Sequence, residues 1–346
     1  MKIQRVQNDA DWKKFHQVLK VIYGKDPNWI CPLNIDVRNA FDPNENKYIA
    51  TGYAAAFIVE DDNGNLVGRF ATFVDHKRNE IQNTKLGGIG YFECIENTEL
   101  AKAMFDYAEE DLKKQGIESV VAPINLGERD RFWGLLEKGY DLPPYYLENY
   151  HPRYYKPMYE ANGYSKYEQI LTLTGVMADI PIRRFRLLSE RAQKRYPLRA
   201  EILDMKKIDK YANDAAIVYN EAFKHTPFFQ PLNGSQVYEL FRNIKQIIDP
   251  KMIVFAYYED FPVGFGALVP EINEFFKGFR GKINKIKGLR FLWRFRTAKQ
   301  KDLKGIAFAV HPQYQSKGVY PIMCDLLYTE HTVKTYRYIV VPTIRG

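Results

Sequence analysis

Apolar residues recur at helical spacing over residues 11–23, where Trp12, Phe15, Val18, Leu19 and Ile22 share one face. Asp9 or Asp11 stands where a cap for that helix belongs, and a short strand, Ile3–Val6, precedes it. Two nearly continuous apolar runs, Ala54–Glu60 and Leu66–Val74, read as strands around the turn residues Asp61-Asp62-Asn63-Gly64-Asn65. Gly90–Ile95 reads as a further strand. Leu100–Lys114 reads as a helix with Ala101, Met104, Phe105, Ala108 and Leu112 on one face and Gly116 closing it. Ser119–Ile124 is then a strand, and Arg131–Leu136 starts another helix.

The second half repeats the order. Ile208–Phe223 and Gln236–Ile247 read as helices, and Met252–Tyr258 and Val263–Val269 as strands around Glu259-Asp260-Phe261-Pro262. Ile306–Val310 reads as a strand, Tyr320–Lys334 as a helix and Tyr338–Val341 as a last strand. Helix, hairpin, strand, helix, strand thus occurs twice, which predicts an α/β chain with mixed sheets in two domains. Between the copies, Gly175–Ile182 reads as a strand leading into a basic helix with Arg183, Arg184, Arg186, Arg191, Lys194 and Arg195. The expected domains are 1–178 and 179–346. A length of 346 residues fits two domains, and 46% apolar content supplies an ordinary core.

Charge sharpens this picture in one place. The net charge is +8, yet residues 277–304 hold eleven Lys or Arg and one acid, Asp302, for a net of +10. The rest of the chain therefore sums to 8 − 10 = −2. The surface is not generally basic, which argues against a nucleic-acid binder. The start, Met1-Lys2-Ile3-Gln4-Arg5, has no apolar signal core, and no run of about 18 apolar residues suggests a membrane span. Cys31, Cys94 and Cys324 are sparse and far apart, as expected of a protein in a reducing cytoplasm. The six His residues show no metal-ligand spacing, so no metal is expected.

The most chemical stretch is Ala309-Val310-His311-Pro312-Gln313-Tyr314-Gln315-Ser316-Lys317-Gly318-Val319-Tyr320. It reads as a strand end, a turn, a Gln-x-x-Gly loop and a helix start. Unpaired amides beside the positive end of a helix dipole make a phosphate site. Val310, Pro312, Tyr314, Gln315 and Gly318 in this order resemble the acyl-CoA-binding segment of the GNAT acetyltransferase superfamily. Tyr320 departs from it, standing where the family usually has Gly or Ala. The repeated layout is that of a GNAT domain, once in each half. The resemblance implies acetyl-CoA or another acyl-CoA held by Val310, Gln315, Ser316, Lys317, Gly318, Val319 and Tyr320. The first half carries Glu96-Asn97-Thr98-Glu99 at the matching place, whose carboxylates oppose a pyrophosphate. A GNAT domain follows its fifth strand with a helix and two strands, so the second copy is expected to be incomplete at its C-terminus. The first copy, or another chain in a homo-oligomer, would complete it.

A second informative stretch runs from Ala122 to Leu136, with clustered Tyr residues after it. It resembles a segment of bacterial proteins with tandem GNAT-like domains, in which Gly-Glu-Arg-Asp precedes an aromatic helix. Asn125, Glu128, Arg129, Asp130 and Trp133 are the expected substrate contacts, with local capping and packing as the alternative. GNAT chemistry asks for a base that takes a proton from an amine and an acid that protonates the leaving thiolate. Glu271 and Glu274, after the hairpin strand, are the candidate bases, with solvated strand-end charges as the alternative.

The basic segment interleaves Lys and Arg with Phe, Trp, Leu and Ile between the third and fourth strands of the second copy. An amphipathic helix on an anionic membrane surface, a contact to acidic substrate or nucleic acid, and a core-covering face all fit it. The expected function is acyl-CoA-dependent N-acyl transfer to an amine on a small molecule or peptide. The opposing reading is a GNAT-fold ligand-binding or membrane-associated protein without catalysis.

Overall fold

The computed structural model describes every residue except 128–130, 226–228, 230 and 346. The chain divides into two units: residues 1–170 with 272–297, and residues 171–271 with 298–344. The first unit runs β1 (Lys2–Arg5), α1 (Asp9–Tyr23), α2 (Asn34–Asn39), β2 (Gly52–Glu60), β3 (Leu66–Asp75), α3 (His76–Gln82), β4 (Leu86–Cys94), α4 (Thr98–Lys114), β5 (Ser119–Val121) and α5 (Tyr155–Ala161). Its sheet has the order β1-β2-β3-β4-β5, antiparallel up to β4 and parallel between β4 and β5.

Both faces of this sheet are covered, which is why its strands read as unbroken apolar runs. Along β2, Ala55, Phe57 and Val59 join the core that contains Met104, Phe105 and Ala108 of α4. The alternate residues Ala56 and Ile58 join the core around Phe15 of α1. The cap of α1 is Asn8, which accepts from the N–H groups of Ala10 and Asp11, not Asp9 or Asp11. The Asp11 carboxylate turns outward from that role and takes the Gln7 N–H and the Gln4 amide.

The β3–β4 ladder contains a bulge. Register passes from Arg69↔Glu93 to Ala71↔Gly90, so β4 carries one extra residue, and Tyr91 takes φ 46° there. Parallel pairing of β4 with β5 is confined to Leu86–Gly88 against Ser119–Val121, after which the Ile124 N–H still donates to the Ile89 carbonyl at 2.8 Å.

The second unit runs β6 (Ile170–Val176), α6 (Ile182–Arg195), β7 (Leu198–Ile202), α7 (Ile208–Phe223), α8 (Gly234–Ile244), β8 (Ile253–Tyr258) and β9 (Phe261–Pro270). After the insert, whose helix is α9 (Lys285–Thr297), come β10 (Lys301–Val310), α10 (Val319–Leu327), α11 (Glu330–Thr335) and β11 (Tyr336–Arg345). The sheet order is β6-β11-β10-β9-β8-β7. The β9–β10 ladder has its own bulge, at Ile306, just where parallel pairing with β11 stops. The layout of the first unit is thus repeated to the level of a single extra residue.

Three expectations change. The helix expected from Arg131 does not form. Phe132 and Gly134 take φ 51° and 84°, and their N–H groups go to the carbonyls of Leu147 (2.6 Å) and Pro123 (2.8 Å). The helix expected over Tyr320–Lys334 is two, because Thr329 and Thr332 form a reciprocal capping box that starts α11. The second sheet, expected to lack a neighbour after its fifth strand, has β6 beside β11, while α6 packs on the α10 face. Segments that precede the second copy in sequence therefore supply one strand and one helix, against the helix and two strands sought after it.

The insert clusters with the first unit although it leaves from the second. Asn34 N–H donates to the Gly281 carbonyl (2.7 Å), and Asn273 Nδ2 to the Pro144 carbonyl (2.7 Å). Phe291 stacks on Phe276 at 4.8 Å, and Phe295 meets Phe275 edge-on at 5.4 Å.

Candidate functional site

Two charges sit inside otherwise apolar strands of the first unit, and the register brings them together. Arg69 on β3 and Glu93 on β4 are partners immediately before the bulge. Both are buried, and Arg69 Nη2 lies 3.7 Å from Glu93 Oε1. The guanidinium lies 4.5 Å above the Phe15 ring, and its Nη1 donates to the Phe15 carbonyl at 3.2 Å. Its Nε has no hydrogen-bond partner among the described residues.

The other carboxylate oxygen, Oε2, is met by the hydroxyls of Tyr23 (2.6 Å) and Tyr155 (2.8 Å). Burial lifts the Glu93 carboxyl to about 7, against the pull of Arg69 and the tyrosine hydrogen bonds. The surroundings serve both protonation states. Tyr23 Oη is also 2.8 Å from the Tyr150 carbonyl. With Glu93 ionised, the Tyr23 proton points at the carboxylate. With Glu93 protonated, the carboxyl can donate to Tyr23, whose own proton turns to Tyr150. A proton can thus arrive at Glu93 without moving a heavy atom.

Glu93, Arg69, Tyr23 and Tyr91 line a partly open pocket. The segment from Pro144 to His151 forms one wall, and Asn273 reaches it from the insert. The Tyr91 hydroxyl is buried and has no hydrogen-bond partner among the described residues. Asp36, also on the lining, accepts from Tyr146 Oη (2.9 Å), and burial raises its carboxyl. His151 is held neutral, its pKa pushed by burial to about 3, with Nδ1 accepting the Leu136 N–H at 3.2 Å. His16, stacked on Trp12 at 5.8 Å, is likewise lowered to about 3 by burial, helped by the charges of Arg69 and Arg38.

The residues expected from sequence fall in several places. Asn125 is buried and donates to the Arg131 carbonyl. It lines a second, smaller pocket with Gly127 and Arg78. Trp133 is half-buried, and Glu128, Arg129 and Asp130 lie outside the described residues. Glu271 is buried at the end of β9, its N–H bonded to the Asp302 carbonyl (2.8 Å), and Glu274 is half-buried in the following turn. Neither lines the larger cavity. Glu93 escaped the sequence reading. Its signal was a carboxylate inside Phe92-Glu93-Cys94, opposite an arginine inside Gly68-Arg69-Phe70.

In the second unit, Val310, Gln315, Ser316, Lys317, Gly318, Val319 and Tyr320 form one continuous passage from β10 into α10. Ser316 and Gly318 take φ 63° and 91°. Gly318 is the N-cap and gives α10 no side-chain cap. A Cβ there would lie 2.3 Å from Ala192 Cβ on α6, so helix packing requires the glycine as much as the turn does. The Tyr320 ring packs beside Phe185 (6.2 Å) and Phe308 (5.9 Å). The matching helix start in the first unit is closed, since Asn97 accepts from the Leu100 N–H and Glu99 occupies the first turn.

No protein-family model matches the chain. Among curated proteins it is similar to the bacterial ceramide synthase of Caulobacter vibrioides (strain NA1000 / CB15N). The two are 25% identical over 315 residues, covering 90% of this chain and 80% of that one. It is 24% identical to protein YghO of Escherichia coli (strain K12) over 325 residues, 92% of this chain and 81% of that one. Among solved structures it is similar to a tandem GNAT protein from the clavulanic acid biosynthesis pathway. The TM-score is 0.51 at 10% identity, covering 99% of this chain and 89% of the other. It is also similar to the GCN5-related glucosamine N-acetyltransferase region of a fungal multi-domain GH3 β-N-acetylglucosaminidase. There the TM-score is 0.54 at 12% identity, with 99% of this chain and 35% of that one covered.

The fold is therefore a tandem GNAT fold in one mixed α/β chain.

Proposed function

We propose that this chain is an acyl-CoA-dependent N-acyltransferase whose acceptor is a long-chain amino alcohol of the sphingoid-base class. The observation that carries the chemistry is Glu93, a carboxylate with its pKa lifted to about 7 on the wall of a partly open pocket. A base poised near neutrality is ionised enough to take a proton from an ammonium as its nitrogen attacks. The acceptor class is argued from the relative named a ceramide synthase, which is similar over 90% of this chain. A ceramide is the amide of a fatty acid with a sphingoid base.

The step balances simply. Glu93 removes one proton from the acceptor ammonium, directly or through water. The freed nitrogen attacks the thioester carbonyl, the C–N bond forms, and the C–S bond breaks. CoA leaves as a thiolate and takes up the second proton, which the nitrogen sheds as the amide forms. The Tyr91 hydroxyl and Arg69 Nε, buried without partners among the described residues, are groups that acceptor hydroxyls would satisfy. In the second unit, the amides at the start of α10 would hold CoA phosphates, since no side chain caps them and no acid stands in the first turn. The partners of this reading are an acyl-CoA and a lipid-like amine of the kind found at an anionic membrane surface.

The test is a product assay with sphinganine and acyl-CoAs of several chain lengths, followed by mass spectrometry of the amide and by release of free thiol. Amide formation is the expected result. Binding of CoA, seen as a raised melting temperature, without amide from any acyl-CoA or amine would favour the non-catalytic ligand-binding reading instead.

A further inference from the structure

We propose that the outer face of α9 is a docking surface for an anionic lipid bilayer. The helix is apolar on two sides. Inward, Phe291 and Phe295 are buried against Phe275 and Phe276. Outward, Ile286, Leu289 and Trp293 recur at helical spacing and are 77%, 69% and 67% exposed, with Ile283 just ahead at 47%. Four large apolar side chains grouped like this are not what a surface facing only water carries.

The charge around them selects the partner. Residues 277–297 hold eight Lys or Arg and no acid. Three of these are occupied by the fold, Lys277 among them through its Nζ to the Pro27 carbonyl at 3.1 Å. Arg294 Nη1 donates to the carbonyls of Phe275 and Lys277, both at 3.0 Å, and Lys287 Nζ to that of Phe279 at 2.6 Å. Lys282, Lys285, Arg290 and Arg296 are exposed along the same stretch. An apolar stripe flanked by basic residues matches a helix lying in the interface of an anionic membrane, with the apolar side chains among the acyl chains. A nucleic acid would satisfy the charges but leave Ile286 and Leu289 without a partner, since neither stacks on bases.

The insert that carries this surface also lines the cavity in the same unit. Asn273 of the insert lines it, and Phe276 packs at 5.9 Å on Tyr146, another lining residue. Docking through α9 thus deepens the acyl-transfer reading, because a long-chain amine resides in a bilayer. The docking itself stands on the helix alone, and its test fails separately from the product assay.

The experiment is co-sedimentation of the full chain with vesicles of equimolar phosphatidylglycerol and phosphatidylcholine, and with pure phosphatidylcholine. The protein is expected to pellet with the anionic vesicles, to stay in solution with the neutral ones, and to be released by high salt. Each basic residue removed should weaken binding roughly fivefold. The combined substitution Lys282→Gln, Lys285→Gln, Arg290→Gln and Arg296→Gln therefore abolishes it. The combined substitution Ile286→Ser, Leu289→Ser and Trp293→Ser should lower it by at least about tenfold with the charge untouched. Docking should also shift tryptophan emission to the blue, and Trp293→Phe should remove that shift while the protein still pellets. Absence from the anionic pellet overturns the proposal. So does an unchanged affinity of the serine variant, which would mean adsorption by charge alone. Binding to single-stranded RNA, lost in the glutamine variant while vesicles are ignored, would assign the surface to nucleic acid.

Discussion

Arg69 and Glu93 are register partners on neighbouring strands, and neither reaches bulk water. One wall of the cavity is therefore a charged pair set into an apolar sheet. The guanidinium holds the carboxyl down while burial pushes it up, and the balance falls at about 7.

That balance predicts a pH-dependent rate. Only the ionised form of Glu93 can take a proton, so turnover should rise through pH 7 and level off above it. Glu93→Gln should lower kcat by about 100-fold or more with little change in KM for the acyl donor. It should also remove the limb near pH 7 from whatever activity remains. Steady-state kinetics across pH checks this, and a Glu93→Gln enzyme that keeps the limb would exclude Glu93 as the base.

The same shift works in the opposite direction on stability. The folded carboxyl keeps its proton up to about 7, whereas an ordinary glutamate loses it near 4.5. Between those values the fold holds a proton that the unfolded chain has released. The contribution of Glu93 is thus complete below pH 4.5 and declines as pH rises toward 7, by roughly 3 kcal/mol in all. His16 and His151 slope the other way, losing stability as pH falls from 6.5 toward about 3, because the fold keeps both neutral. Urea unfolding of wild type and Glu93→Gln at several pH values separates them. The difference between the two proteins should shrink or change sign as pH rises through that window.

Arg69→Met should be among the most damaging substitutions in the first unit. It keeps most of the volume but leaves Glu93 buried without its counter-charge, at a cost of about 3–5 kcal/mol. The double variant Arg69→Met with Glu93→Gln should recover a large part of that loss. A double-mutant cycle measures it, and simple additivity would show that the pair is not coupled.

Gly318→Ala should lower the melting temperature more than Gly64→Ala. Both glycines have positive φ, 91° and 78°, so both substitutions strain the backbone by about 1 kcal/mol. Only at Gly318 does the new Cβ meet another atom closely, 2.3 Å from Ala192 Cβ, whereas at Gly64 nothing lies within 4 Å. Ala192→Gly should partly restore the Gly318→Ala protein. Equal losses at the two glycines would remove the packing argument.

The central strands were legible because helices cover both faces of the sheets and nearly every residue there is apolar. Ala55 and Ala56 look alike in sequence yet belong to different cores. The repeat of strand and helix was legible for the same reason. The helix expected from Arg131 was not real because the N–H groups of Phe132 and Gly134 find carbonyls distant in sequence, which no local pattern reports. The pair at Arg69 and Glu93 was visible only as two misplaced charges. Joining them needs the register of a hairpin that contains a bulge. The path of the insert was hidden more deeply. Phe275, Phe276 and Phe279 announce a buried face, but nothing nearby in sequence states that its partner is Asn34 or Tyr146.

The insert also governs how the molecule can be taken apart. The chain enters the second unit after residue 170, returns to the first for residues 272–297, and goes back to finish the second sheet. A single cut near residue 170 therefore yields no self-sufficient halves. The N-terminal fragment would lack Asn273 and the phenylalanine cluster, and the C-terminal fragment would trail them as an unsupported apolar loop. Separate expression of the two halves should give insoluble material, and co-expression should yield a threaded complex. A gene encoding this protein could not have been split at its most obvious seam without losing a wall of its own cavity.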